Sequence, residues 1–319
     1  MDGVIEGFTI APGRETDLDD VVALIEAADR ALGVPPDPMR GELAWVWHLP
    51  TTELERDTRL IRNGERLVAY AEATWKVPDS GEPLDVLVRV LPDHAQTGIG
   101  EWLLSWAEAE AERRGAPGTH AWAVDHDAAA ADLLRSHGFV HVRSMFTMWR
   151  SVTTDEDGAP PPERDVTIRP YSDADERVLY ELHQAAFAEH WGFHPLSLEQ
   201  WNELLHGEGW DPSLVFLADS EGATVGYLVG FLEDTTGFVG MLGVLKEHRG
   251  RGIAKALLRR SFVEFARRGR KNVRLGVDSE NTAGAVRLYE GVGMTVHRRY
   301  DVFDLGTPEA EARGTPVSG

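Results

Sequence analysis

The 319-residue chain contains no cysteine. That excludes disulfides, thiolate metal sites and a cysteine nucleophile, so acyl transfer here cannot pass through an acyl-cysteine. Positive charge is also scarce: 32 lysines and arginines face 53 aspartates and glutamates, a net charge of −21. A surface of that sign repels nucleic-acid phosphates and anionic membranes, so neither is an expected partner. It favours a cationic substrate such as a protonated amine, and it serves solubility equally well. No apolar run approaches the roughly 20 residues of a membrane span. The opening Met1-Asp2-Gly3-Val4-Ile5-Glu6 is acidic and lacks a signal-peptide pattern, which makes a cytoplasmic protein the expectation. The twelve histidines include no close paired spacing joined to carboxylates, so no metal is expected.

The composition, 42% hydrophobic and 27% charged, suits a globular chain with a sizeable core, and the length suits about two domains. The two halves repeat. Phe8-Thr9-Ile10-Ala11-Pro12 resembles Val166-Thr167-Ile168-Arg169-Pro170, Gly98-Ile99-Gly100 resembles Gly252-Ile253-Ala254, and Gly138-Phe139 resembles Gly293-Met294. The order and spacing persist along the chain, as expected of two copies of one domain. Between them, residues 153–164 are polar and proline-rich and read as a linker. The expected organisation is a domain over 1–152, the linker, a second domain over 165–305 and a fraying tail over 306–319.

Each half reads as β-α-α-β-β-β-α-β-α-β. In the first, helical spacing places Val21, Leu24, Ile25 and Ala28 on one face and Leu103, Leu104, Ala107 and Ala111 on another. In the second, Val178, Leu182 and Ala185 or Ala186 point inward. The fold class is α/β, with helices around a mixed sheet that is largely antiparallel before a glycine loop and parallel across it.

That loop organises the second half. An apolar run, Phe238 to Leu245, reads as a strand, and Ala254, Leu257, Leu258, Phe262 and Phe265 recur at helical spacing after it. The glycines Gly250 and Gly252 therefore sit where a strand hands over to a helix, whose first turn carries unpaired N–H groups and partial positive charge. Glycine lets a phosphate approach that backbone closely. The P-loop pattern is absent, and the dinucleotide fingerprint lacks its third glycine. The pattern that is met in full is Arg/Gln-x-x-Gly-x-Gly/Ala, by Arg249-Gly250-Arg251-Gly252-Ile253-Ala254. From Arg249 to Arg274 ten basic residues stand against Glu264 alone, a local charge of +9 that a polyphosphate ligand would explain, as would a solvated helix face.

This loop, with Asn281-x-x-Gly284-Ala285-x-x-Leu288-Tyr289-x-x-x-Gly293-Met294 after it, resembles the signatures of the GNAT acyltransferase superfamily, and the resemblance covers nearly the whole chain twice. It implies two tandem GNAT-like domains. It implies acetyl-CoA as co-substrate, held through the backbone of Leu242, Gly243 and Val244 and through Arg249, Gly250, Arg251, Gly252, Ile253, Ala254 and Lys255. Asn281 would hydrogen-bond the pantetheine arm, or cap a helix expected over 282–292. Tyr289 would be the general acid toward the departing thiolate, its alternative being a core aromatic beside Leu288 and Val292. For the base the first choice is Glu233, with Asp234, Glu189, His190 and Asp278 as further candidates.

The first half departs from the pattern. Ala95 stands at the Arg249 position, Gln96 at Gly250, His126 at Asn281 and Leu134 at Tyr289; residues 95–120 carry a charge of −2. A tandem pair with an active second half resembles the mycothiol synthase family of GNAT enzymes, in which an acidic residue is expected at the start of the fourth strand. Gly237 and Phe238 stand there instead. The expected activity is thus N-acetylation of a small-molecule primary amine from acetyl-CoA, by direct attack on the thioester in the second half. The alternative is a non-catalytic acyl-CoA-binding or regulatory protein that keeps the fold.

Overall fold

The structure, a computed structural model, describes residues 5–35, 37, 39–49, 51–75, 82–154, 156, 165–206, 210–233, 235–281 and 284–308. Asp234, residues 157–164 of the expected linker and the tail from 309 lie outside the described residues. The chain forms two compact units, residues 1–145 with 298–319, and residues 146–297.

The first unit contains β1 (Thr9–Ala11), α1 (Leu18–Ala31), α2 (Met39–Trp47), α3 (Leu54–Asp57), β2 (Thr58–Asn63), β3 (Arg66–Thr74), β4 (Leu84–Val90), α4 (Ile99–Arg114), β5 (Thr119–Val124) and α5 (Ala128–Ser136). Strand β6 (Val140–Ser151) begins in this unit and ends in the other. The second unit contains β7 (Val166–Pro170), α6 (Glu176–Phe187), α7 (Leu198–Leu205), β8 (Val215–Ser220), β9 (Ala223–Leu232), β10 (Thr236–Val244), α8 (Ile253–Arg267), β11 (Asn272–Asp278) and α9 (Ala285–Glu290). Strand β12 (Thr295–Leu305) returns the chain to the first unit.

Strand order is β1-β2-β3-β4-β5-β12 in the first unit and β6-β11-β10-β9-β8-β7 in the second. The expected change of direction at the glycine loop is present in both: β4 runs parallel to β5, and β10 parallel to β11, while β2–β3–β4 and β8–β9–β10 pair antiparallel. The sixth strand of each unit comes from the other sequence half. Tyr300 to Leu305 of β12 pair with Val124 to Thr119 of β5. In the second unit the Val152 N–H donates to the Lys271 carbonyl at 2.9 Å. The repeat set boundaries at 152 and 305, whereas the compact units divide inside β6 and β12, because a strand belongs with the sheet that satisfies its backbone groups.

The helices bury the faces that their periodicity selects. Val21, Leu24, Ile25 and Ala28 of α1 are buried, as are Leu103, Leu104, Ala107 and Ala111 of α4 and Leu257, Leu258, Phe262 and Phe265 of α8. Helix α6 corrects one expectation: Leu179, Leu182 and Ala186 are buried, and Val178 is 39% exposed. The buried stripe of α6 is Leu179, Leu182, His183 and Ala186, spaced by three and four, and Val178 lies at its margin. A buried ion pair ties the end of β12 into the first unit. Arg298 Nη1 lies 2.8 Å from Asp29 Oδ2, and both side chains are almost fully buried.

Candidate active site

Strands β10 and β11 pair over only three residues, Thr236 to Phe238 against Asn272 to Arg274. Both continue beyond that point, β10 to Val244 and β11 to Asp278, with no further pairing between them. The register of β10 on β9 slips between Val239 and Met241, leaving Gly240 as a bulge at the divergence. Past it, Leu242, Gly243 and Val244 pair with Leu228, Tyr227 and Gly226 of β9 on one edge only. Their other edge faces the opening toward β11, so its backbone groups, apart from the Val244 carbonyl that Arg249 engages, are available to a ligand.

The glycine loop follows this edge. Gly250 and Gly252 adopt left-handed φ angles of 79° and 76°, and nothing lies within 4 Å of where their Cβ atoms would be. Glycine is therefore required by conformation and not by crowding, and the space in front of the loop is open. Gly252 is the N-cap of the fifteen-residue helix α8, and no side chain caps that end. The first-turn N–H groups of Ile253, Ala254 and Lys255 have no intrahelical partners and carry the positive end of the helix dipole. An anion is the partner such an end accepts.

The basic residues divide into two groups. Arg249 turns back onto the protein: its guanidinium donates to the Val244 carbonyl at 3.1 Å and the Ala186 carbonyl at 3.2 Å. It ties the loop to the end of β10 and to α6, a structural role for its side chain. Arg268 bonds Asp211 and Glu264, Arg274 pairs with Glu233, and Arg260 lies 5.3 Å over the Phe216 ring. Part of the +9 charge is thus held by local partners. Arg251, beside Ser220 and His248, and Lys255 remain half-exposed at the loop.

Tyr289 projects from α9 into the core of the second unit and is 8% exposed. Burial alone pushes its phenol up to about 12. It therefore carries its proton at neutral pH, as a proton donor must. Asn281 does not cap α9. The helix begins at Ala285 with the left-handed Gly284 as its N-cap, and Asn281 sits in the turn before it, its N–H donating to the Asp278 carbonyl at 3.1 Å. Gly284 starts the helix later than the apolar spacing suggests because its left-handed φ of 75° cannot continue a right-handed turn backwards.

Among the expected bases, Glu233 is held by Arg274 through both carboxylate oxygens, one of them 2.8 Å from Nε. The guanidinium in turn lies 4.4 Å over the Phe238 ring. This pair closes the end where β10 and β11 still touch. Glu189 receives the Lys246 ammonium at 2.6 Å, and that bond holds its carboxyl below the usual range. Burial, and then the Arg249 charge, lower the His190 imidazole, against the opposing carboxylates of Asp278 and Glu189. His190 is thus biased toward the neutral form.

One constellation was not anticipated from sequence. His183 of α6 bonds the Tyr227 hydroxyl at 2.6 Å, stacks on Phe187 and packs on Trp201. Burial lowers the His183 imidazole to about 4, so it is neutral. Tyr227 is paired with Gly243 across β9 and β10, so this network backs the open edge of β10. The first unit has a tyrosine at the matching place: Tyr70, opposite Leu60 as Tyr227 is opposite Leu217, bonds Trp47 at 2.9 Å and Glu72 at 2.5 Å. A tyrosine at a repeat offset of 157 was the available signal.

Residues 27–139 and 177–294 match the Acetyltransferase (GNAT) family. A mycothiol acetyltransferase of Thermobispora bispora is 32% identical over 292 residues, covering 88% of this chain and 94% of that protein. Another, of Tsukamurella paurometabola, is 31% identical over 323 residues, covering 95% and 99%. The solved structure of a GCN5-related N-acetyltransferase from Sphaerobacter thermophilus superposes with a TM-score of 0.80 at 30% identity, covering 94% of this chain and 96% of that one. A tandem GNAT protein from the clavulanic acid pathway shares the fold, with a TM-score of 0.69 at 19% identity and coverage of 93% and 98%. With that family matched twice along its length, the chain belongs to the GNAT acetyltransferases as a tandem N-acetyltransferase.

Proposed function

We propose that the protein transfers the acetyl group of acetyl-CoA to a small-molecule primary amine, with the chemistry in the second unit. The observation that carries this reading is the free edge of β10 running directly into the uncapped N-terminus of α8. Pantetheine amides suit the strand edge and the pyrophosphate suits the helix end, the basic loop residues Arg251 and Lys255 adding charge. The backbone of Leu242 to Val244 would hold the thioester carbonyl. The amine nitrogen attacks that carbon, the C–S bond breaks, the Tyr289 hydroxyl donates its proton to the departing thiolate, and the proton that the nitrogen loses as the amide forms restores the phenol.

Before it can attack, a substrate ammonium must lose a proton. Glu233 was the first expected acceptor, and both its oxygens are engaged by Arg274. We assign that pair a positioning role at the vertex of the cleft and assign proton acceptance to His190. The first unit, with Ala95 and Leu134 in place of Arg249 and Tyr289, is assigned no catalysis.

The test is amine-dependent release of free CoA from acetyl-CoA, with a panel of primary amines that includes the acceptor of the mycothiol acetyltransferases. Turnover that is abolished in Gly252→Asp supports the reading. Tight acetyl-CoA binding with no turnover on any amine would favour a non-catalytic binding protein.

A further inference from the structure

The residue assigned to accept the proton stands at the end of a chain of ring contacts that starts behind the β10 edge. Tyr227 lies opposite Gly243, and its hydroxyl bonds His183 Nδ1 at 2.6 Å. The His183 imidazole stacks on Phe187, with centroids 4.7 Å and planes 26° apart. Phe187 in turn meets the His190 imidazole, with centroids 4.3 Å apart and planes at 45°. Trp201, at 4.4 Å, and Phe193, at 5.8 Å, also pack on His183.

The backbone brings these rings together. Phe187 is the last residue of α6. The His190 N–H donates to the Phe187 carbonyl at 2.8 Å, and the Phe193 N–H donates to the His190 carbonyl at 3.2 Å, so two turns fold the chain back at the helix end. Gly192 permits the second turn with a left-handed φ of 66°.

Packing alone does not account for a histidine in this cluster. An imidazole that is 8% exposed has given up hydration that a leucine or phenylalanine never had. What it adds is a partner for the fully buried Tyr227 hydroxyl. Burial keeps His183 neutral, so the bond and the stack persist through neutral pH and put no charge beside His190. The charged groups that face His190 are Arg249, Asp278 and Glu189, the last paired with Lys246. The first unit, which is assigned no catalysis, keeps the tyrosine and lacks the stack. Helix α1 contains neither a histidine nor an aromatic residue, and Tyr70 bonds Trp47 and Glu72 instead.

We propose that His183 and Phe187 are positioning residues for acetyl transfer, which through Tyr227 tie the His190 imidazole to the strand edge assigned to the thioester. They act through His190 and not on the reacting atoms. The inference rests on the assignment of proton acceptance to His190, and it adds that one hydroxyl and two stacked rings set the place of that imidazole from behind β10.

The experiment pairs an NMR pH titration of the histidine C–H resonances of the full chain with turnover of the most active amine of the panel. The variants are Phe187→Ala, Phe187→Tyr and Tyr227→Phe, and His190→Gln identifies the His190 resonance. Phe187→Ala uncovers the imidazole, so its midpoint should rise toward 6.5, since burial is what holds it lower. The same variant should lower kcat about tenfold and leave the affinity for acetyl-CoA, read by calorimetry, unchanged. Phe187→Tyr keeps the ring and should restore both. Tyr227→Phe deletes only the hydroxyl and should shift the midpoint and kcat in the same directions by less. The titration needs no acceptor, so it decides the placement of the ring even where no amine of the panel reacts. A wild-type midpoint in Phe187→Ala would overturn the proposal. So would failure of Phe187→Tyr to restore it, a loss of acetyl-CoA affinity that matches the loss of turnover, or a wild-type midpoint and kcat in Tyr227→Phe. Wild-type turnover in His190→Gln would overturn the base assignment and this proposal with it. Turnover lost in His190→Gln and unchanged in Phe187→Ala would overturn this proposal alone.

Discussion

The ring of Tyr227 occupies the place a side chain at Gly243 would need: a Cβ there would come 2.5 Å from Tyr227 Cε1 and 3.0 Å from Ala186 Cβ. Gly243 is therefore a glycine because of packing on one face of β10, while its backbone edge lies in the opening beside β11. Gly243→Ala should force β10 away from Tyr227. Overpacking of this kind costs about 1–3 kcal/mol in stability. Displacement of the edge should also raise the KM for acetyl-CoA. Denaturant unfolding and initial rates on the same variant check both effects. An unchanged KM would separate the edge from acetyl-CoA binding.

Tyr289→Phe should lower kcat about 10–100-fold, below the upper range for general acids because water recovers part of the loss, and should change the KM for acetyl-CoA little. Burial raises the phenol from 10.0 to about 12, so Tyr289 should contribute no alkaline limb to the kcat profile below that pH. The raised value also sets a stability window. The buried neutral phenol contributes stability that is present below pH 10 and lost as pH rises from 10 toward 12. Comparing the unfolding of Tyr289→Phe with wild type across that window measures it.

Gly252→Asp should abolish acetyl-CoA binding in the second unit. A left-handed φ of 76° costs a non-glycine residue about 1–2 kcal/mol, which a folded domain tolerates, while the carboxylate meets the ligand's phosphates. Gly252→Asn carries the same strain without the charge. Calorimetry should find the asparagine variant weakened less than the aspartate variant; equal affinities would remove charge from the explanation.

His183 and Glu72 should give stability opposite pH dependences. The imidazole is lowered by burial from 6.5 to about 4, so the unfolded chain binds more protons between those values. Stability from His183 is present above pH 6.5 and lost as pH falls toward 4, by up to about 3 kcal/mol. Glu72 is raised by burial from 4.5 to about 7, with its bond to Tyr70 opposing the shift. Its contribution is present below pH 4.5 and lost as pH rises through 7. Glu72→Gln should therefore gain stability relative to wild type on going from pH 5 to pH 8, read by urea unfolding at each pH. A constant difference would show Glu72 to titrate as it does in the unfolded chain.

Asp29→Ala should destabilise the first unit by about 3–5 kcal/mol, since it leaves the Arg298 charge buried without its counter-ion. Hydrogen exchange should rise first in Tyr300 to Leu305, whose amides lie in the strand that Arg298 anchors. A loss confined to the second unit would show that β12 is held by its ladder with β5 alone.

The repeat, the strand-to-helix glycine loop and the helical faces were legible because each depends on neighbours within a few residues. Left-handed Gly98, Gly250 and Gly252, and the buried stripe of α8, follow from backbone preference and periodicity. Val178 was misplaced because the buried stripe of α6 includes His183, a polar residue that apolar spacing does not count, beside Leu179, Leu182 and Ala186. Glu233, in the hairpin before the fourth strand, was preferred over Asp278 at the end of the fifth; only the fold set the Arg274 guanidinium on Glu233.

By itself the sequence determined the family and the tandem plan, and it proposed Tyr289 as the acid, since these are carried by short motifs whose chemistry is local. Tertiary structure decided which acids and bases already have partners, which strand completes which sheet, and that Tyr227 and His183 lie behind Gly243. Such contacts join residues tens to hundreds of positions apart. Burial, which sets the protonation of His183, Glu72 and Tyr289, exists only once those distant residues have packed.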